Sequence, residues 1–319
     1  MTRRTRFILR RVALTLPVLL VMSVVVFLVL HLVPGDPAAT MLGLRATPEL
    51  ITQVRADLDL DASLPAQYVN WLGGVVQGDF GRDFIADESV GHLIAQALPV
   101  TLELAVGALL LGLIIGVPVG IAAVKGGRTA RRASEGFVVA GIALPDFWIG
   151  IMLVLLFSAT LQWLPPSGFE RVLEDPYQNL RYLTLPVIAL GLGQATYFAR
   201  TTRSAVEESL QAPYVLLLRA KGVSERSILW RHVLRNAAAP IVTVVGIVFG
   251  VLLGGAIVIE SLFSIPGLGR LLVEAVEQRN YTVVQGCVLV IAFMFIVVNL
   301  LTDLVVGWLD PRVADSAAQ

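Results

Sequence analysis

Residues 237–259 read AAAPIVTVVGIVFGVLLGGAIVI, an apolar run without a charged side chain. An α-helix rises about 1.5 Å per residue, so about 20 such residues cross the hydrocarbon core of a bilayer. Five further stretches qualify: 12–33; 99–124, interrupted only by Glu103; 136–164, interrupted only by Asp146; 183–199, the shortest; and 282 to about 309, with Asp303 near its end. Composition agrees. Of 319 residues, 56% are apolar and 15% charged, against about 25% charged in soluble domains, and the mean hydropathy is +0.78. A water-soluble globule needs more charge than this to cover its surface. The chain is predicted to be an all-α polytopic membrane protein with six transmembrane helices.

The first run follows Arg3, Arg4, Arg6, Arg10 and Arg11. It is longer than the 7–15 residues or so of a signal-peptide core and no small-residue cleavage site follows, so it reads as an uncleaved anchor. Lys and Arg set orientation. On the N-terminal side lie those five, then Lys125, Arg128, Arg131 and Arg132, then Arg200, Arg203, Arg219, Lys221, Arg226, Arg231 and Arg235, and finally Arg312. The opposite side has only Arg45, Arg55, Arg82, Arg171, Arg181, Arg270 and Arg279. Both termini are therefore expected in the cytoplasm, as an even number of spans requires. The net charge is zero, which gives no sign of nucleic-acid binding. The single cysteine, Cys287, excludes an intrachain disulfide and supports no metal site.

Two loops are long. The outer one, 34–98, opens with the turn Pro34-Gly35-Asp36-Pro37. Thr47-Pro48-Glu49 reads as a helix start, with Ile51, Val54 and Leu58 as its apolar stripe. Tyr68, Leu72 and Val75 suggest another helix, and Gly78-Asp79-Phe80-Gly81 a second turn. The whole is a small helical cap on the outer face. The inner loop, about 201–236, is basic yet carries Leu216, Leu217, Leu218, Ile228, Leu229, Trp230, Val233 and Leu234. Gly222 divides it, and Ser224 can cap the helix that follows, with Glu225 beside it. Two short amphipathic helices joined at a glycine are expected. They lie on anionic lipid, or they form a docking knob for a soluble partner; the residues alone leave both open.

Within the spans, Gly112, Gly116 and Gly120 form one stripe of every fourth residue, and Gly246, Gly250 and Gly254 another. Such stripes let backbones approach closely in lipid. Acids there are costly and default to a functional hypothesis. Asp146, beside the helix-disturbing Pro145, is the leading pathway or gate residue, with Glu103 and Glu260 behind it; the alternative is an acid satisfied by a neighbouring helix. Glu260 and Asp303 sit at span ends, where water is within reach. Trp163 and Trp308 suit interfacial anchors. Catalytic patterns are missing. The two lysines are each followed by glycine, which excludes a phosphate-binding loop. His31, His92 and His232 are scattered, and no nucleophile elbow occurs.

The inner loop then becomes recognisable. Tyr214-Val215, Arg219-Ala220-Lys221-Gly222-Val223-Ser224-Glu225-Arg226 and Trp230-Arg231-His232-Val233-Leu234-Arg235-Asn236 resemble the coupling segment of bacterial ABC importer permeases of the dipeptide, oligopeptide and nickel branch. His31-Leu32-Val33-Pro34-Gly35-Asp36-Pro37, Gln77-Gly78-Asp79-Phe80-Gly81, Glu260-Ser261-Leu262-Phe263-Ser264-Ile265-Pro266-Gly267-Leu268-Gly269 and Leu309-Asp310-Pro311-Arg312 are similar to other family segments, in family order. The long outer loop resembles the first of the two permease subunits. The chain departs from the general importer signature: Leu216, Leu217 and Leu218 replace Glu-Ala-Ala, and His232-x-Leu234-Arg235 replaces Ile-x-Leu-Pro.

The resemblance implies a type I ABC importer permease fold. Residues 1–98 would form the first helix and outer loop, 99–312 the transmembrane domain with helices 2–6, and 313–319 a cytoplasmic tail. It implies a second homologous permease, two cytoplasmic ATPases that bind ATP and Mg²⁺, an extracytoplasmic binding protein, and no cofactor or catalysis in this chain itself. The cargo would be di- or oligopeptides, or alternatively glutathione, a nickel complex or an oligosaccharide, crossing the cytoplasmic membrane of a bacterium or archaeon. Arg219, Ala220, Lys221, Gly222, Ser224, Glu225, Arg226, Trp230, Arg231, His232, Leu234 and Arg235 would form the coupling surface. In it, Arg226, Arg231 and Arg235 supply charge while Trp230 and Leu234 pack into an ATPase groove. A membrane enzyme would need convergent acid–base groups, and an ion-driven transporter internal repeats and buried charges; the sequence offers neither.

Overall fold

The computed structural model describes residues 3–31, 36–43, 46–84 and 86–309. Pro34-Gly35, Arg45, Asp310-Pro311-Arg312 and the tail lie outside them. Among the described residues the regular structure is helical apart from one hairpin of two-residue strands, β1 (Arg82–Asp83) and β2 (Glu88–Ser89), antiparallel with Arg82 opposite Ser89.

The helix α1 (Arg3–His31) is the first span. The cap follows. In α2 (Pro37–Leu42) Asp36 accepts from the Ala38 amide, and in α3 (Pro48–Asp57) Thr47 accepts from the Leu50 amide, each with proline at the first position. Ala38, Leu42 and Val54 bury a small core against Ile51 and Leu58. Arg55 bridges Asp61 and Asp36, and these two carboxylates hold its guanidinium above the usual range. The helix α4 (Leu64–Val76) is tied to α1 through Tyr68 Oη to Ser23 Oγ and His31 Nε2 to Gln67 Oε1, both 2.8 Å. Gly78 and Gly81, both at φ +87°, make the turn that follows.

The second span, α5 (Val90–Lys125), begins before the apolar run because its first turns expose His92 and Gln96. The expected boundary at residue 98 therefore falls inside a helix. The third run is not one straight helix. Its pieces are α6 (Arg128–Ala143) and α7 (Asp146–Leu153), the latter prolonged by a π turn at Val154–Thr160, and they meet at 98°. Leu144 is extended (ψ 122°) and Pro145 has no amide to donate, so the hydrogen-bond ladder stops there. Asp146 is thus the first residue of a helix rather than the middle of one.

The shortest apolar run becomes α8 (Pro176–Gln211), the most enclosed span, with two-thirds of its most apolar segment buried. A helix walled by protein needs less hydrophobic surface than one facing lipid, which explains its modest sequence signal. It packs on α5 through the first glycine stripe. A Cβ on Gly120 would stand 2.6 Å from the Ala199 carbonyl oxygen, and one on Gly116 would strike Ala195 and Phe198.

Two short helices, α9 (Pro213–Ala220) and α10 (Glu225–Ser227), lead through a π turn at Ile228–Val233 into α11 (Leu234–Phe263). A helix α12 (Leu268–Glu277) and the last span, α13 (Tyr281–Leu309), complete the chain. The second glycine stripe is only partly used. Gly246 meets Thr302 and Gly250 meets Phe295 of α13, whereas Gly254 has nothing within 4 Å and takes no part in packing within this chain. Arg11 of α1 and Asp303 of α13 are clipped at 2.5 Å. At the opposite end Asn280 donates to Asp83 (2.6 Å), fastening the hairpin to α13.

Candidate functional site

At the end of the bundle opposite the cap, α9 turns into α10 at Gly222. This residue has φ +76° and open space around it, so glycine is required by the backbone and not by a neighbour. Ser224 then accepts from the Ser227 amide and starts the next helix, as expected. That helix is not short and separate. It runs without interruption from Glu225 to Phe263, so the second expected element is the first turns of the fifth span. The reason is continuity of the apolar face. Ile228, Leu229, Val233 and Ala237 are buried together with Val206 and Val215, and the face passes directly into residues 237–259.

The outward face of this segment is mixed. Leu216 and Leu217 are 72% and 56% exposed and Trp230 60%, while Arg226, Arg231 and Arg235 are exposed beside it. Ser224, Arg226, Ser227 and Trp230 line a depression of about 390 Å³. Ala220 and Lys221 are exposed at the elbow and His232 is half-buried. Leu234 departs from expectation. It packs inward against the segment's own core, one helical turn past Trp230, and so is not presented outward like the tryptophan. Arg219 is spent on Glu225, with nitrogen–oxygen distances of 2.7 and 3.2 Å, and that carboxylate holds its guanidinium above the ordinary value. Glu225 also meets Lys125, the last residue of α5, at 3.5 Å. Sequence reasoning missed this strut. Opposite charges bordering two apolar runs at one end of the bundle were the available signal.

The acids sort differently from expectation. Glu260, expected within reach of water at a span end, is fully buried. The Thr101 hydroxyl donates to Oε1 at 2.6 Å, the Arg270 amide donates to Oε2 at 3.0 Å, and Thr101 in turn accepts from the Leu268 amide at 2.8 Å. Glu260 therefore clamps the first turn of α12, and its surroundings are those of a structural acid, not of a pathway. Glu103 is half-buried and has no hydrogen bond among the described residues. The Asp146 carboxylate lies at the break between α6 and α7, against Gly193 of α8 and Gly255 of α11; a Cβ on Gly193 would be 2.5 Å from its Oδ1. Next to Gly193, the buried Gln194 Oε1 lacks a partner among the described residues.

Residues 92–315 match the family described as binding-protein-dependent transport system inner membrane component. The chain belongs to that family. Residues 4–105 match the corresponding N-terminal family. A putative peptide transport system permease protein of Brucella abortus is 41% identical over 97% of this chain and 99% of its own. A probable peptide ABC transporter permease protein of Sinorhizobium fredii is 35% identical over 96% and 98%. The glutathione transport system permease protein of Salmonella typhimurium is 39% identical, also over 96% and 98%. Among solved structures, the inward-facing MetNI methionine ABC transporter matches with a TM-score of 0.55 at 17% identity, covering 68% of this chain and 96% of that one. The inner membrane component is thus a multi-pass permease subunit with the ABC importer permease fold, and its part in transport is not enzymatic.

Proposed function

We propose that this permease is the first of two homologous subunits of a peptide importer and forms half of the translocation pathway. In this reading the Gly222 elbow faces the cytoplasm with both termini, and the α2–α4 cap faces an extracytoplasmic binding protein. Two cytoplasmic ATPases hold ATP and Mg²⁺. Their docking face on this chain is Leu216, Leu217, Arg226, Trp230, Arg231 and Arg235. The observation that carries the reading is the union of the exposed Arg226, Trp230, Arg231 and Arg235 with the fifth span in one unbroken helix, Leu216 and Leu217 standing across the Gly222 turn. Displacement of the docking end then moves a transmembrane wall. Coupling requires the contact to differ between nucleotide states of the ATPases. Asp146 is the gate residue in this scheme, since it sits where the third span is broken and its carboxylate faces glycines of both α8 and α11.

The division into residues 1–98, 99–312 and 313–319 is retained as a functional one: first span with its cap, transport domain and tail. Peptide is the cargo because relatives at 41% and 35% identity bear that name. Glutathione, itself a tripeptide, is the second reading, resting on the 39% relative. The test is reconstitution with the second permease, both ATPases and the binding protein. Uptake of labelled dipeptide is expected to need ATP, and Trp230→Ala with Arg231→Glu to leave ATP hydrolysis but remove uptake. Wild-type uptake by that variant would overturn the coupling face; competition by glutathione alone would overturn the peptide reading.

A further inference from the structure

A cavity of about 800 Å³ opens between α1, α4 and α13. Leu16 and Leu20 of α1, Leu72 and Val76 of α4, and Leu289 and Phe293 of α13 form its walls. It is a size typical of small-molecule sites, which run from about 300 to 1,000 Å³, but its chemistry is unlike theirs. Such sites place a few polar groups to orient a ligand. Here the one hydroxyl in the wall, Ser23 Oγ, is already committed to the Leu20 carbonyl and to Tyr68 Oη, at 2.8 Å each. No polar group remains for a ligand, so only hydrocarbon is matched by these walls.

Position identifies the source of that hydrocarbon. Two of the three walls are membrane spans and the third is α4 of the cap; the lining residues 16–23 lie at and just past the middle of α1 on its cap side, and 289–293 in the half of α13 nearest the cap. The medium reaching it at that depth is the acyl region of the leaflet on the cap side. The third wall, α4, is held over it by the Ser23–Tyr68 and His31–Gln67 bonds, and its groove-lining Val76 is 80% exposed. Water at such a surface is unfavourable, and a void there leaves the lining without packing partners. We propose that the groove seats an acyl chain of one phospholipid from the cap-side leaflet, as a wedge that joins α4 to the first and last spans. The inference needs the chain to cross a membrane and is independent of what it transports.

The test uses the full permease complex in vesicles containing phosphatidylcholine with a photoreactive diazirine midway along one acyl chain. Irradiation and peptide mapping are expected to concentrate adducts on residues 16–23 and 289–293, above the level at Leu14 and Leu301, which are similarly exposed but outside the groove. The pair Leu20→Trp and Leu289→Trp, which fills the cavity, is expected to abolish groove adducts and leave those at Leu301 unchanged; Leu14→Trp is expected to change nothing. Adducts spread evenly over all exposed apolar positions would overturn the proposal. So would a groove that yields no lipid adduct and instead cross-links to another polypeptide. The mapping on the unsubstituted chain decides the matter even if the filled variant fails to assemble.

Discussion

Replacing Glu260 by leucine removes the acceptor for at least two donors in a fully buried site. The Thr101 hydroxyl (2.6 Å) and the Arg270 amide (3.0 Å) are then both left unpaired. Each orphaned buried donor costs about 1–3 kcal/mol, so the expected loss is about 2–6 kcal/mol. In globular domains of about 150–250 residues a kcal/mol moves the unfolding midpoint by about 2–4 °C; on that scale the fall is roughly 4–24 °C. Glutamine keeps the volume but can accept at only one of the two positions, so Glu260→Gln should fall between wild type and Glu260→Leu. Thr101→Val orphans the Leu268 amide by the same route, and the two changes should not add because they share one network. The chain supplies its own reporter. Cys287 is its single cysteine, fully buried in the same core as Ile259, Phe263 and Leu268. Its reaction with a thiol dye on heating in detergent reads the opening of that core. Should Glu260→Leu react at the wild-type temperature, the clamp on α12 is not what holds this end together.

Gly120→Leu should sharply lower the amount of folded chain in the membrane, because its Cβ meets the Ala199 backbone oxygen at 2.6 Å and overpacking costs about 1–3 kcal/mol even before helices must part; Gly254→Ala, with open space around it, should match wild type, and quantitative blotting of membranes compares them. Gly222→Val places a side chain at φ +76°, costing about 1–2 kcal/mol or more, and should uncouple ATP hydrolysis from uptake without loss of membrane-inserted protein; normal uptake would remove Gly222 from the coupling route. Charge reversal at Lys125 alone, or at Glu225 alone, should reduce coupled uptake. The double exchange Lys125→Glu with Glu225→Lys should recover part of it, although Arg219 then faces a like charge; no recovery would mean that the strut is incidental.

Span positions were legible in the sequence because hydrocarbon thickness imposes a length that composition alone can satisfy. The breaks and ends were less so. The third run kept its apolar character through Pro145, and hydropathy does not register that a missing amide and an extended Leu144 turn the chain through 98°. The start of α5 at Val90 was hidden because early turns such as those of His92 and Gln96 are polar on their exposed side. Ser224 and Gly222 were readable since capping and left-handed backbone are local properties of residue type. The inward turn of Leu234 and the burial of Glu260 were not. Both depend on which distant helix lies alongside, and a carboxylate at a span end looks the same in sequence whether it reaches water or a helix N-terminus.

The helix α5 and the continuous helix Glu225–Phe263 are joined at both ends, and the two joints differ in kind. From Glu225 to Glu260 the continuous helix extends about 50 Å at 1.5 Å per residue. One joint is Lys125 to Glu225, 3.5 Å apart and exposed. The other is Thr101 to Glu260, 2.6 Å apart and buried. An exposed ion pair is screened by salt and readily exchanged for another partner, whereas a buried donor and acceptor have no alternative and do not let go cheaply. At the Gly222 end the strut adds to apolar packing, since Ile121 and Val124 of α5 lie against the core of Ile228, Leu229 and Val233; the two ends differ in that one carries an ion pair that salt loosens and the other a buried hydrogen bond. In the coupling proposed above, a docked subunit that competes for Glu225 or Lys125 would loosen this end while the bond at Glu260 stays closed, turning a local exchange of ion pairs into a change of angle between two spans. Raising ionic strength should mimic the release of the strut and leave the thermal reactivity of Cys287 unchanged, because the bond at Glu260 and not the strut protects that core.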